Sequence, residues 1–264
     1  LKYEGAVICD ISGQLRNDII KFCFEHSKRV YISPKISDII IRGGSDINLF
    51  DSPLILCRNN GLSFEQKLFK RIFDILLSLI ALIILSPVML LVALAIKIDD
   101  GGRIFYKQKR LTIDAKEFYV YKFRSMIENA EEAGKPKLAT DNDKRITRVG
   151  RFLRKCRLDE VPQFINILKG DMSMVGPRPE RPELTKKYEQ DMPEFQFRLK
   201  VKAGLTGYAQ VTGVYDTTPY DKLKMDLMYI ERYSITLDLR IILMTLKTII
   251  FPGKSNEKQK KELS

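Results

Sequence analysis

Ile72–Ile96 reads IFDILLSLIALIILSPVMLLVALAI, and from Ile75 to Ile96 it carries no charged side chain. At about 1.5 Å per residue those 22 residues would extend roughly 33 Å as one helix, the thickness of a bilayer's hydrocarbon core. Ser86-Pro87 falls in the middle of the run. Pro87 has no N–H for the Ile83 carbonyl and its ring clashes with that carbonyl, so a kink or break is predicted there. Lys67, Lys70 and Arg71 precede the run, and Arg103, Lys107, Lys109 and Arg110 follow it, so both flanks carry the basic signature of a cytoplasmic end. A straight span would put one cluster outside. The pattern favours a re-entrant hairpin that enters the membrane, turns at Ser86-Pro87 and returns to the same face, with the Ser86 hydroxyl as a partner for a freed backbone group. A kinked span is the alternative on these residues, and a soluble-core helix is a weaker one, since such helices keep a polar face.

Around this run, 264 residues with 45% apolar and 30% charged content leave room for two modest folded domains. The formal net charge is +12, and residues 1–63 are nearly neutral, so about +11 belongs to the part that holds the apolar run. That part favours anionic partners: lipid head groups, nucleotide phosphates or nucleic acid. No zinc-ligand spacing or stacking-aromatic motif accompanies the charge, which argues against nucleic acid. Cys9, Cys23, Cys57 and Cys156 form no Cys-x-x-Cys and read as reduced thiols of a cytosolic compartment. His26 is the sole histidine, and it lies in the N-terminal region, so His-based acid/base chemistry or a His-ligated metal is not expected. No signal peptide opens the chain, and the start at Leu1 inside a folded pattern predicts a piece of a longer protein.

Residues 1–58 alternate apolar β-rich runs with a helical pattern: AVICDI, then QLRNDIIKFCFEH, then RVYIS, DIIIR and PLILC. This predicts part of a parallel α/β unit ending at the turn signal Asn59-Asn60-Gly61. No Gly-x-Gly-x-x-Gly follows a strand, and Gly43-Gly44 reads as a turn. Beyond the apolar run, IFYKQKR and EFYVYKFRSM predict a hairpin, and the polar stretch between Glu128 and Asp143 a loop. LTKKYEQDMPEFQFRLKV is a charged segment broken at Pro193, and VKAGLTGYAQVTG a Gly-rich turn followed by a strand or loop. LKMDLMYIERYS and LDLRIILMTLKTIIF predict two helices. The second has an apolar face suited either to a membrane surface, with Arg240 and Lys247 able to reach head groups, or equally to packing against the globular core. GKSNEKQKKELS reads as a disordered tail.

The densest chemistry lies in RFLRKCRLDEVPQFINILKGDMSMVGPRPE. Asp159-Glu160 precede Pro162, which is tolerated in a first turn, so a helix is predicted from about Asp159, its positive end favouring ionised carboxylates. Gly176-Pro177-Arg178-Pro179-Glu180 holds Arg178 between two prolines, a stiff mount for a guanidinium that grips phosphate oxygens. Carboxylate, divalent ion and arginine together suit phosphoryl transfer, which depends on positioning and charge neutralisation. No GxxxxGK[ST] occurs, so a P-loop enzyme is not expected.

KRIFDILLSLIALIILSPVMLLVALAIKID, VYKFRSM, RITRVGRFLRKCRLDEVPQFINILKGDMSMVGPRPE, AGLTGYAQV and MDLMYIERYSITLDLRIILMTL together resemble the bacterial sugar transferases known as monotopic phosphoglycosyl transferases. The likeness runs from about Lys67 to Phe251, five motifs in order. It implies a monotopic protein of α/β class with an α-rich catalytic domain. The expected organisation is the end of a Rossmann-like α/β domain (1–63), a re-entrant membrane helix broken at Ser86-Pro87 (64–98), a catalytic domain with interfacial helices (99–252) and a disordered tail (253–264). The implied reaction moves a sugar 1-phosphate from a UDP-sugar, by analogy a UDP-hexose, to undecaprenyl phosphate and releases UMP. It would pass through a covalent aspartyl-phosphosugar, with Mg²⁺ as cofactor, at the cytoplasmic face of the inner membrane. Exopolysaccharide, capsule or O-antigen synthesis is the expected setting. By motif, Asp159 would be nucleophile and Mg²⁺ contact, Glu160 its dyad partner, and Arg154 and Arg178 phosphate ligands. Lys122, Arg124, Thr206, Gly207 and Gln210 are further pocket candidates. Membrane lipids are implied partners, nucleic acid is not, and the α/β piece is a candidate homodimerisation element.

Overall fold

The computed structural model describes residues 4–49, 51–57, 61–128, 130, 143–213 and 217–251. The tail predicted over 253–264 lies outside the described residues, as does most of the loop predicted between Glu128 and Asp143. Two compact units divide the chain, Leu1–Arg58 and Asn59–Ser264.

In the first unit β1 (Gly5–Ile8) is followed by α1 (Gly13–Glu25), β2 (Arg29–Ile32), α2 (Ile36–Arg42), β3 (Ser45–Leu49) and β4 (Ser52–Leu56). β1 and β2 run parallel with α1 as the crossover, as the alternating pattern predicts. DIIIR, read from sequence with the β-rich runs, is instead the body of α2. Asp38 decides this: it accepts from the Lys35 N–H at 2.9 Å, satisfying a donor at the helix start, and pairs with Arg16 of α1 at 2.6 Å. The strand that sequence reading missed is β3, which pairs antiparallel with β4.

The second unit opens with α3 (Phe64–Asp100), 37 residues and so about 55 Å of helix if measured along its axis. Ser63 starts it by a reciprocal cap, its Oγ accepting from Gln66 N–H while Gln66 Oε1 accepts from Ser63 N–H. Gly101, at φ 70°, ends it in the left-handed region open to a residue without Cβ. The helical backbone continues through Pro87, so no loop opens at Ser86-Pro87. The Ser86 hydroxyl donates to the Ile83 carbonyl at 2.9 Å, the carbonyl that Pro87 cannot serve. Among the described residues α3 is the one helix long and apolar enough to cross a membrane, and only 11% of its most apolar window is buried. A soluble-core helix would be mostly buried, so the chain is membrane-associated. Burial is confined to the two ends of α3: Lys70, Asp74 and Ser78 on one side of Pro87, Val92 and Ile96 on the other.

After α3 come β5 (Phe105–Leu111) and β6 (Glu117–Phe123), the expected antiparallel hairpin. Next are α4 (Arg148–Lys155), a 3-10 turn at Leu158–Glu160, α5 (Gln163–Lys169), β7 (Ser173–Val175), α6 (Pro182–Asp191) and a 3-10 segment at Pro193–Lys200. β8 (Gly204–Thr206), α7 (Tyr208–Thr212), α8 (Pro219–Glu231) and α9 (Ile235–Ile250) complete the unit, and β8 pairs parallel with β7. YAQVT, read as strand or loop, is thus the short helix α7.

Both ends of α3 pack into this body. Arg71 donates to the Ile167 and Leu168 carbonyls at the end of α5, at 2.6 and 2.7 Å. Asp74 accepts from Met174 N–H and Ser173 Oγ, and Lys70 pairs with Asp238 of α9 at 2.6 Å while bonding the Tyr229 hydroxyl at 3.0 Å. At the far end Val92 and Ile96 form one apolar cluster with Phe123 and Leu153, and Leu158 and Val161 pack against it.

Candidate active site

That last contact sets the geometry of the acidic dyad. Leu158 and Val161 are one 3-10 turn apart, and residues three apart in such a turn lie on one side. With both turned into the apolar cluster, Asp159 and Glu160 between them face away from it. The helix expected to start at about Asp159 is corrected here: a separate 3-10 turn precedes α5. Pro162 is the reason. Continuing as α-helix would ask the Leu158 carbonyl to accept from an N–H that Pro162 lacks, so Leu158 accepts from Val161 at 3.2 Å instead. Arg157 enters the turn at φ 55°, a conformation that non-glycine residues adopt at a cost of order 1 kcal/mol.

The two carboxylates have different surroundings. Glu160 Oε1 receives Lys122 Nζ of β6 at 2.7 Å and lies 3.5 Å from Arg178 Nη2. Burial alone would raise the Glu160 carboxyl, but these two cations reverse that and bring it to about 2. Among the described residues no side chain hydrogen-bonds to Asp159. Burial first, and then the neighbouring Glu160 charge, push the Asp159 carboxyl above its ordinary value, against the pull of Lys122 and Arg154. The helix-end setting expected for Asp159 is not what surrounds it: Asp159 lies in the 3-10 turn ahead of α5, half-buried beside the Glu160 charge, and these raise its carboxyl above the ordinary value.

Arg178 Nη1 donates to Gln210 Oε1 at 3.0 Å, and Gln210 N–H bonds back to the Gly207 carbonyl at 2.9 Å. A Cβ on Gly207 would collide with the Gly176 carbonyl, so only glycine lets the two turns close on each other. Arg154 Nη1 and Gln210 Nε2 are among the buried donors that have no acceptor among the described residues. Such donors are costly unless something fills the space in front of them, and an anion does so. Lys122, Arg154, Asp159, Glu160, Arg178, Gly207 and Gln210 thus form one neighbourhood.

Two sequence candidates lie elsewhere. Arg124 is buried, with its guanidinium committed to Asp100 and to the Arg103 carbonyl, where it clasps the turn after α3. Thr206 bonds Thr245 of α9 at 2.6 Å and fixes β8 to that helix. Arg110 and Arg198, behind Arg178, were missed. The signal was the pair Pro177 and Pro179, whose missing N–H groups remove ladder bonding and leave carbonyls that need outside donors.

No group of three or more His, Cys, Asp or Glu stands close enough to hold a metal among the described residues. Mg²⁺ takes one or two carboxylates, with substrate oxygens and water making up the rest, so a carboxylate such as Asp159, to which no side chain hydrogen-bonds among the described residues, is of the donor type that ion takes.

Residues 65–252 match the family model described as bacterial sugar transferase. The chain is 42% identical over 224 residues to the UDP-glucose:undecaprenyl-phosphate glucose-1-phosphate transferase of Klebsiella pneumoniae, covering 82% of this chain and 45% of that protein. It is 41% identical over 184 residues to the UDP-N-acetylgalactosamine-undecaprenyl-phosphate N-acetylgalactosaminephosphotransferase of Aeromonas hydrophila, covering 69% of this chain and 43% of that protein. With the exopolysaccharide production protein PSS of Rhizobium leguminosarum bv. phaseoli it shares 39% identity over 193 residues, 70% of this chain and 96% of that one. The chain spans a little under half the length of the first two. The family match covers the membrane helix, the Asp159-Glu160 turn, the Pro177–Glu180 loop and α9, and on it the chain belongs to the bacterial sugar transferase family.

Proposed function

We propose that the protein transfers a sugar 1-phosphate from a UDP-sugar to undecaprenyl phosphate and releases UMP. One observation carries the reading: Asp159, to which no side chain hydrogen-bonds among the described residues, sits among cations that include Arg154, whose buried Nη1 has no acceptor among those residues. Glu160, held by Lys122 and Arg178, is unavailable as a nucleophile; its two partners orient it and leave Asp159 to react. An Asp159 oxygen attacks the phosphorus that bears the sugar, forming an acyl phosphate as the bond to the UMP phosphate breaks. The phosphate oxygen of the lipid then attacks the same phosphorus, and the bond to Asp159 breaks to restore the carboxylate. Arg154 and Arg178 neutralise the diphosphate as charge moves to the leaving group, and Gln210 orients Arg178. Asp159 would be the residue that holds Mg²⁺, and the ion would supply further charge neutralisation.

A re-entrant α3 agrees with its two buried ends, which pack against one body while Ile83 and Leu91 between them are each 65% exposed. Leu239, Leu243, Leu246 and Ile250 of α9 recur at helical spacing and are exposed, which suits an interfacial helix. With α3 re-entrant and α9 interfacial, Asp159 would lie at the bilayer surface, on our reading the cytoplasmic face of the inner membrane. The N-terminal unit, with its parallel β1–β2 crossover, is proposed as the end of a Rossmann-like domain that serves assembly, including homodimer formation. The donor is proposed to be a UDP-hexose, with exopolysaccharide, capsule or O-antigen synthesis as the setting, since the names of relatives include glucose, galactose and N-acetylgalactosamine transferases.

The test is UMP release from a panel of UDP-sugars with undecaprenyl phosphate and Mg²⁺. Wild-type protein should release UMP from at least one donor, and Asp159→Asn from none. With labelled donor and no lipid, wild type should retain the label covalently. UMP release by Asp159→Asn at the wild-type rate would remove Asp159 as nucleophile, and absence of an adduct under rapid quench would favour direct transfer to the lipid.

A further inference from the structure

The loop that presents Arg178 is braced from behind by groups that do not face the dyad. All four carbonyls from Pro177 to Glu180 are bonded outward. Gly204 N–H bonds Pro177 at 2.9 Å, Arg198 Nη2 bonds Arg178 at 3.0 Å, Arg110 Nη1 bonds Pro179 at 3.0 Å and Leu111 N–H bonds Glu180 at 3.0 Å. Two of these four donors are arginine side chains. Pro177 and Pro179 contribute no N–H, so a sheet ladder cannot hold this segment and side chains must.

Arg198 is itself fixed. Its side chain is 5% exposed and its Nη2 lies 2.8 Å from Asp226 Oδ2 of α8, an aspartate buried almost completely. Nη1 lies 3.6 Å from Glu180 Oε1, and the guanidinium carbon sits 4.9 Å from the Phe195 ring centre. Nε is buried without an acceptor among the described residues, and the guanidinium reaches the loop and Asp226 through its two Nη atoms, by a hydrogen bond to the Arg178 carbonyl and ion pairs to Glu180 and Asp226. Glu180 also lies 4.0 Å from Arg110 Nη1, which places it between the two arginines. A buried ion pair is weak support for stability, since well-packed apolar side chains often serve as well. This one ends on the backbone carbonyl of the residue whose guanidinium, 48% exposed, reaches toward Glu160.

We propose that Arg198, held by Asp226, together with Arg110 positions Arg178: the buried arginines fix the backbone from which the Arg178 guanidinium reaches the diphosphate. The inference rests on the reading of Arg178 as a phosphate ligand. A shift of the loop by about 1 Å would weaken both grip and rate without removing any group that touches substrate.

A double-mutant cycle in the full chain tests it. Arg198→Lys, which keeps charge but loses the planar fork, and the near-isosteric Asp226→Asn are each made in wild type and in Arg178→Gln. The readouts are the dissociation constant for UDP with Mg²⁺, and kcat and KM for UMP release. In the wild-type background each variant should weaken UDP binding about tenfold, with a rise in KM. In Arg178→Gln the same changes should alter binding less than about twofold. Equal fold-losses in both backgrounds, or no loss in either, would overturn the inference. Should Arg198→Lys fail to fold, the Asp226→Asn arm decides alone. Wild-type protein that bound no UDP would overturn the reading of the site and this inference with it, whereas wild-type binding with equal losses would overturn the inference alone.

Discussion

Lys70→Met should unfold the catalytic unit far more easily than its two lost bonds, to Asp238 and the Tyr229 hydroxyl, suggest. Lys70 Nζ stands 2.6 Å from Asp238 Oδ2, with side chains 9% and 2% exposed. At an effective dielectric of ~20 the attraction at that distance is roughly 6 kcal/mol, most of it offset by the cost of removing both charges from water. Methionine cancels the attraction and leaves the desolvation of Asp238, whose remaining partner at 2.8 Å is the Tyr229 hydroxyl. The expected cost is about 3–5 kcal/mol. For a unit of this size that lowers the unfolding midpoint by about 10 °C. Adding Asp238→Leu should return most of the loss, because Tyr229 keeps the Val175 carbonyl at 3.2 Å, Asp238 no longer leaves a charge buried, and Asp74 keeps its bonds from Met174 N–H and Ser173 Oγ. The chain has no tryptophan, so far-ultraviolet circular dichroism of protein in lipid nanodiscs is the measurement. A midpoint within about 2 °C of wild type for Lys70→Met, or a double variant that loses the sum of both single losses, would refute the account of this pair as the buried link between α3 and α9.

The acidic limb of kcat/KM should report Asp159 rather than Glu160. Burial and the Glu160 charge raise the Asp159 carboxyl, so activity should fall as pH drops through a value above the ordinary aspartate range, while Glu160 stays ionised down to about 2. Glu160→Gln removes the neighbouring charge and should move that limb to lower pH, whatever it does to the rate; a limb that stays in place would reassign it. Arg124→Met should cost about 2–3 kcal/mol in unfolding yet change KM for the UDP-sugar less than about twofold, since its bonds go to Asp100 and the Arg103 carbonyl. A large rise in KM would return Arg124 to the pocket. An impermeant amine reagent should reach Lys67 and Lys107 from one face of sealed vesicles, and from opposite faces after Ser86→Ala with Pro87→Leu. Labelling of wild type from opposite faces would make α3 a span.

How the site reads from sequence depends on how local its causes are. Asp159, Glu160, Arg154 and Arg178 stand within one short stretch, so their proximity was legible, as was the Ser86 hydroxyl's service to the carbonyl that Pro87 orphans. DIIIR misled because apolar runs of that length suit either strand or helix, and an ion pair to Arg16 decided between them. Arg124 and Thr206 sat beside motif residues in sequence, yet their side chains turn the other way. Asp159 was expected to be stabilised as an anion by a helix end, and its actual surroundings raise it instead.

Sequence by itself determined the features that rest on composition, spacing and the covalent limits of proline: an uncharged apolar run with basic flanks, the weak point at Pro87, the hairpin of β5 and β6, and the acidic dyad near a proline-mounted arginine. Tertiary structure alone decided which carboxylate is free. Lys122 comes from a strand 38 residues before Glu160 and Arg178 from a loop beyond α5, and both converge on Glu160 rather than Asp159. It also decided that Arg110 and Arg198 serve the backbone of Arg178. Side-chain direction, burial and long-range pairing set the charge state and commitment of each group, and none of these is a property of neighbouring residues along the chain.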